Sequence, residues 1–341
     1  MSARSIHNLA LLFLLAVVIL SITIVLPGKF LTVINFQSMG SQFPEFALLA
    51  LAMMLAMITG GIDLSVVAIA NLAGVVAAFI LSRSVGTDVS PYLAIAAAVV
   101  AALSVAALCG LVNGILVAWI NVPPILATLG TQAAFMGMAI VITRGSAFSI
   151  FPEEYAFVGN GTVLGIPFPL ILFVIAAVAV AIVLKQSPQG FSMKMLGSSP
   201  IVSRFSGIRN DRILIKTYVF VALLAGVAAL IIISRSNSMR AGYGEAYLLS
   251  TILVAVLGRT DPDGGEENLL GVVLGILILQ ATQSGLNILS ISPFFTKFVW
   301  GAALLSVLVA MHFIPKIQKQ RQVRLQKRAL AAAGAEHGSK T

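Results

Sequence analysis

The chain has 341 residues, of which 59% are hydrophobic and 10% charged, with 21 Lys and Arg against 12 Asp and Glu. A soluble globular protein carries roughly 25% charged residues, so this composition argues against a water-soluble fold. The apolar runs are long and unbroken, whereas a transmembrane β-barrel alternates over short segments. The expected class is all-α, a polytopic helical membrane protein.

A span needs about 20 mostly apolar residues. In chain order the candidates are 9–26, 45–60, 64–82, 92–119, 124–143, 167–184, 214–234, 246–258, 268–287 and 296–314. That makes about ten transmembrane helices by the length criterion. The first follows Arg4 and precedes Pro27-Gly28-Lys29 without a small-residue cleavage site, so it reads as an uncleaved span and not a signal peptide. The segment 246–258 is the shortest. An even number of spans puts both ends on one side, and Lys and Arg decide which. With both ends in the cytoplasm, the stretch 185–216, the tail 315–341, Arg4 and Arg259 place fifteen of the 21 basic residues inside. The other six are Lys29, Arg83, Arg144, Arg235, Arg240 and Lys297, in outer loops. The expected organisation is a membrane domain over 1–314, containing a cytoplasmic loop at 185–213, and a basic cytoplasmic tail over 315–341. The net charge of +9 is thus a topology signal and implies no nucleic-acid partner. The tail is either a solvated flank or a contact for anionic lipid. Cys109 is the one cysteine, which excludes an intramolecular disulfide and fits simple packing.

Asp63 stands alone in the stretch "MITGGIDLSVVAIANLAG", with no other charge between Phe46 and Ser82. Those 37 residues would reach roughly 55 Å as one helix, against a hydrocarbon core of about 30 Å. Two spans therefore fit, with Gly60-Gly61-Ile62-Asp63 at the break. The glycines permit a sharp turn, and an aspartate ahead of Leu64-Ser65-Val66 suits a helix N-cap. Gly60, Gly61 and Asp63 are read as a structural turn and cap, in preference to a direct role in handling a solute.

Carriers driven by protons or sodium keep ionisable groups inside their spans. Here the remaining acids, Glu45 among them, fall in loops or at span edges. The phosphate-binding pattern G-x-x-x-x-G-K-[ST] is absent, since Gly28-Lys29 is followed by Phe30. No paired carboxylates, metal-ligand cluster or nucleophile elbow is visible, so no cofactor is expected in this chain. If the protein pumps, its energy arrives from a partner.

The loop "KQSPQGFSMKMLGSSPIVSRFSGIRNDR" carries signals for a short helix. Ser199 suits the N-cap, Pro200 the first helical position and Gly207 the C-terminal cap. Ile201, Val202 and Phe205 would share a face. An isolated two-turn helix is unstable in water, so it leans either on this chain's own bundle or on a partner's groove.

Four stretches together resemble the permease subunits of bacterial ABC importers for simple sugars, of the ribose, xylose and rhamnose type. They are "TGGIDLS" (59–65), "GLVNGILVAWINVPPILATLGT" (110–131), "GSSPIVSRFSGI" (197–208), and "LGRTDPDGGEENLLGVVLG" followed by "SGLNILSISPFF". Their order and spacing cover most of the chain between 45 and 310. Val67 and Arg259 stand where the family has glycines, and Ile201, Val202 and Ser203 replace its acid and two alanines. The resemblance implies a type II importer-like fold in the bacterial inner membrane and alternating access. A separate cytoplasmic ATPase would bind ATP and Mg and couple through Pro200, Ile201, Val202, Arg204, Phe205, Ser206 and Gly207. It also implies a second permease chain, identical or not, and a periplasmic sugar-binding protein. The outer loop 144–165 is far too short to be such a receptor, since a folded domain takes about 50 residues or more.

A neutral sugar calls for hydrogen-bonding and stacking groups. The pathway candidates are Asn71, Asn113, Gln132, Gln280, Gln283 and Asn287, with Phe135 and Trp300 as stacking surfaces. Gln280, Gln283 and Asn287 continue one helical stripe, which must face protein or water. Taken singly, each residue is more simply read as an interhelical hydrogen-bonding group that holds the bundle together. An autonomous secondary carrier or facilitator for a small neutral solute is the rival reading; a scaffold or membrane enzyme lacks any visible chemistry.

Overall fold

The computed structural model describes residues 3–292, 294–306 and 309. Its helices are α1 (Ala3–Val25), α2 (Val33–Ile58), α3 (Val66–Ser84), α4 (Pro91–Ala118), α5 (Pro124–Thr143), α6 (Ala156–Asn160), α7 (Phe168–Gln186), α8 (Pro188–Ser198), α9 (Pro200–Phe205), α10 (Asn210–Ser236), α11 (Tyr247–Leu257), α12 (Leu269–Ile288) and α13 (Phe294–Ser306). Among the described residues eight helices are long and apolar enough to cross a membrane, and α11 and α13 are shorter apolar ones. Each of the ten expected spans coincides with one of these ten helices. The far part of the span expected at 296–314 and the tail 315–341 lie outside the described residues. The protein is a polytopic helical membrane protein.

Proline marks several starts. α4, α5, α8 and α9 all begin on proline, where its missing N–H would have had no partner anyway. α2 lies at the centre. Ala47–Ile58 are at most 1% exposed, and α10, α7, α11 and α12 surround them. A helix apolar on every side belongs in such a position. α1 leans chiefly on α12 and presents Leu9, Leu12 and Phe13 outward, as a lipid-facing helix does.

Gly110 and Gly114 serve a contact inside the chain. A Cβ on Gly110 would lie 2.5 Å from the Tyr218 carbonyl oxygen, and one on Gly114 2.8 Å from the Ile215 Cα, so α4 meets α10 backbone to backbone.

Two expectations need correction. The second helix begins at Val33, not near residue 45, and runs through Pro44. The polar stretch before Pro44, left outside the expected span, is helical. Glu45 is therefore an interior residue of α2, 2% exposed, and not a span-edge acid. Its counterpart Arg235 belongs to the last turn of α10 and not to an outer loop. Second, the 185–213 loop holds two helices: α8 precedes α9, started by Ser187, whose Oγ accepts from the Gly190 N–H at 3.2 Å. Among the described residues, the segments between helices also contain four two-residue strands, and the fold is otherwise helical as expected. β1 (Phe148–Ser149) pairs with β4 (Ser238–Met239), and β2 (Thr162–Val163) with β3 (Ile166–Pro167), both antiparallel.

The turns assemble at two ends. At one, the Gly265 N–H donates to the Ile58 carbonyl at 3.0 Å, Lys194 pairs with Glu267 at 2.6 Å, and Gly61 abuts Pro124. The α2–α3 and α11–α12 turns thus meet α8, and the α2–α3 turn meets the start of α5. The opposite end carries the β1–β4 pair, and there Gln37 Nε2 donates to the Gly165 carbonyl at 3.2 Å.

Candidate functional site

At the end opposite α9 a cavity of about 490 Å³ opens between α2, α11, α12 and α13. Glu45 contributes a charge to its wall that the bundle neutralises. Arg235 Nε donates to Glu45 Oε2 at 3.1 Å and Nη2 to Oε1 at 2.8 Å, and the Tyr247 hydroxyl donates to Oε1. A buried carboxylate requires such pairing. Gln280, Gln283 and Asn287 of α12 and Trp300 of α13 line the same space. Trp300 Nε1 donates to Gln283 Oε1 at 3.4 Å, and Gln283 Nε2 to Asn287 Oδ1 at 3.0 Å. Glu245 and Lys297 stand exposed at its rim.

The other sequence candidates lie elsewhere. Asn71 is committed to its own chain: Oδ1 accepts from the Gly242 N–H at 2.9 Å and Nδ2 donates to the Tyr243 carbonyl. Asn113 Nδ2 donates to Ser65 Oγ at 2.7 Å. Phe135 is 4% exposed and lines an open apolar groove with Leu72, Cys109 and Met138. Gln132 is half-buried on α5. Sequence reasoning missed Glu45, Arg235 and Tyr247. The available signal was an acid and a base each abutting a long apolar run, since a charge at such a place needs a partner.

Asp63 sits in the turn between α2 and α3, fully buried. Gly60 supplies a left-handed φ of +83°. The N-cap of α3 is Ser65, without a side-chain cap bond, so the helix starts two residues later than expected and Asp63 precedes the cap. Its Oδ1 accepts from the Ser65 N–H at 2.8 Å and from Ser65 Oγ at 2.6 Å, while Oδ2 has no partner among the described residues. Burial pushes the carboxyl up from 3.8 to about 6, against the lowering effect of the two Ser65 bonds. The folded chain then holds this proton more tightly than the unfolded chain. The group's contribution to stability is complete below pH 3.8 and is lost as the pH rises through about 6. Asp63→Asn should flatten the pH dependence of thermal unfolding across that interval, where the wild type loses stability with rising pH. An equal decline in both proteins would contradict this.

α9 forms as its sequence signals indicate. Ser199 Oγ accepts from the Val202 N–H at 3.3 Å, and Gly207 closes the helix at φ +78°. Ser203 is fully buried, and its Oγ donates to Asn210 Oδ1 at 2.7 Å, which fastens the inner face to α10. The outer face presents Ile201, Val202 and Phe205 at 68%, 53% and 89% exposure. Just before α9, Gly197 is wedged so tightly that a Cβ there would lie 2.0 Å from the Ile58 carbonyl oxygen and 2.3 Å from the Gly265 nitrogen. Gly197, near the end of α8, thus abuts the C-terminal end of the central helix α2.

The chain matches, over residues 36–308, the family described as branched-chain amino acid transport system / permease component. The ribose import permease protein of Bacillus subtilis (strain 168) is 33% identical over 296 residues, covering 86% of this chain and 89% of that one. The ribose import permease protein of Escherichia coli (strain K12) is 34% identical over 297 residues, or 86% and 90% of the two chains. The autoinducer 2 import system permease protein of Escherichia coli O9:H4 (strain HS) is 28% identical over 275 residues, or 79% and 81%. No solved structure matches. The family match runs from α2 into α13 and so spans the cavity, the Asp63 turn and α9; the chain belongs to the family of membrane permease components of transport systems.

Proposed function

We propose that this chain is the membrane-spanning permease subunit of an ATP-driven ABC importer. It carries a simple sugar, a pentose, a hexose or a related polyol, from periplasm to cytoplasm across the bacterial inner membrane. The observation that carries this reading is α9, capped at both ends, pinned by Ser203 and holding three apolar side chains in water. Exposed apolar groups gathered on a fixed short helix mark a contact surface. Pro200, Ile201, Val202, Arg204, Phe205, Ser206 and Gly207 are the coupling element, docked in a groove of a separate cytoplasmic ATPase that binds ATP and Mg. The relatives that import ribose support the choice of a sugar.

In this reading α9 and both termini face the cytoplasm, and the cavity between α2, α11, α12 and α13 faces the periplasm. A periplasmic sugar-binding protein delivers the sugar there, and a second permease chain, identical or different, completes the pathway. Movement of α9 reaches α2 through the Gly197–Ile58–Gly265 junction. α2 carries Glu45 on the wall of the cavity, so one rigid helix connects the coupling loop to the sugar side. Alternating access is the change in which side of this helix bundle stands open.

The test is co-expression. Vesicles containing the chain together with its ATPase and sugar-binding protein should show ATP-dependent sugar uptake that disappears when any one of the three is left out. ATP hydrolysis by this chain alone would contradict the proposal.

A further inference from the structure

We infer that the cavity is itself a sugar site that contributes to selection, with Trp300 as the stacking surface and Gln280, Gln283 and Arg235 as the hydrogen-bonding groups. The inference rests on the transport reading above and adds where and by what groups the permease holds its solute. Four observations carry it.

The first is an unanswered polar group. Gln280 is 7% exposed and lines the cavity, yet its side chain has no hydrogen-bond partner among the described residues. In a membrane interior a polar side chain facing nothing is costly, and a ligand hydroxyl supplies both the donor and the acceptor that an amide needs. The second is charge. Glu45 accepts three hydrogen bonds from Arg235 and Tyr247, so its charge is already answered within the bundle. Arg235 spends two of its five N–H groups on that carboxylate, and the side chain, 32% exposed, borders the cavity with the others. Within the cavity the neutralised pair still offers N–H donors, which suits a hydroxyl, while the charged Glu245 and Lys297 stand at its exposed rim.

The third is the aromatic wall. The Trp300 indole N–H is turned onto Gln283 at 3.4 Å. Its ring lines the cavity, where the C–H face of a sugar ring can stack. The fourth is size: at about 490 Å³ the space falls within the roughly 300–1,000 Å³ of small-molecule sites. Apolar surface with a few convergent polar groups is the expected composition of such a site.

The chain has two tryptophans, and Trp119 is 65% exposed in the α4–α5 turn, far from the cavity. In a Trp119→Phe background, Trp300 is the sole tryptophan and reports on its own site. Purified in nanodiscs without ATPase or binding protein, this variant should show a saturable fluorescence change with ribose, xylose or glucose and none with leucine. Gln280→Leu should weaken the apparent affinity about tenfold while thermal unfolding stays within a few degrees of the parent. A response to leucine and to no sugar would overturn the ligand class; no saturable response to any of these sugars would overturn the site. ATP-driven uptake by the assembled importer separates the two levels. Uptake without a Trp300 response removes this inference and leaves the permease reading standing, whereas absence of uptake in the complete assembly removes the permease reading.

Discussion

Replacing Ile201 and Phe205 together with serine should leave the bundle folded and deprive it of its ATPase. Both side chains stand in water in the isolated chain, 68% and 89% exposed, so the folded state loses almost no buried apolar contact. Surface substitutions of that kind change stability by about 0.5 kcal/mol or less. The helix itself is held by groups the double variant retains: the Ser199 cap, the Ser203–Asn210 bond and Gly207. An apolar anchor lost from the middle of an interface costs about 2 kcal/mol or more, so two of them should lower affinity for the ATPase by about a thousandfold. Co-purification with the ATPase should fail while the melting temperature is unchanged. Assembly that survives the double substitution would remove α9 from the coupling role.

Arg235→Ala should be the most damaging single substitution at the cavity. It strips Glu45 of two hydrogen bonds and its countercharge, leaving Tyr247 as the sole donor to a carboxylate that is 2% exposed. Breaking one side of a buried ion pair costs about 3–5 kcal/mol. Partial exposure of the arginine side chain, 32%, places this pair toward about 3 kcal/mol. Glu45→Gln combined with Arg235→Gln should recover most of the loss, because it removes the stranded charge and keeps an acceptor for the Tyr247 hydroxyl. Thermal unfolding in detergent of the wild type, the single and the double variant decides this. A single variant as stable as the wild type would mean that the pair contributes nothing to holding α2 against α10.

What the sequence made legible divides by the range of the interaction. Helix positions follow from apolar run length, and α9 follows from Ser199, Pro200 and Gly207, all within nine residues. α8 carries the same Ser-Pro start at Ser187-Pro188 and was overlooked because its apolar face is weak. The α12 stripe of Gln280, Gln283 and Asn287 was visible as helical periodicity, and these residues border one cavity. Asn71 sits one span away with the same amide chemistry, but its partners are 171 and 172 positions distant in the α10–α11 connection. Glu45 and Arg235 lie 190 positions apart, so nothing local to either residue shows the pairing. Arg259 shows the opposite case: it stands where the family resemblance expects glycine, and it keeps the left-handed conformation at φ +66° that a glycine would adopt without strain.

The proposed coupling places the energy source outside this chain, and transport by the chain alone tests that most directly. Vesicles containing only this polypeptide, loaded with ATP or energised by a proton or sodium gradient, should never accumulate sugar above the external concentration. Accumulation against a gradient in those vesicles would contradict the proposal and make the protein a carrier in its own right.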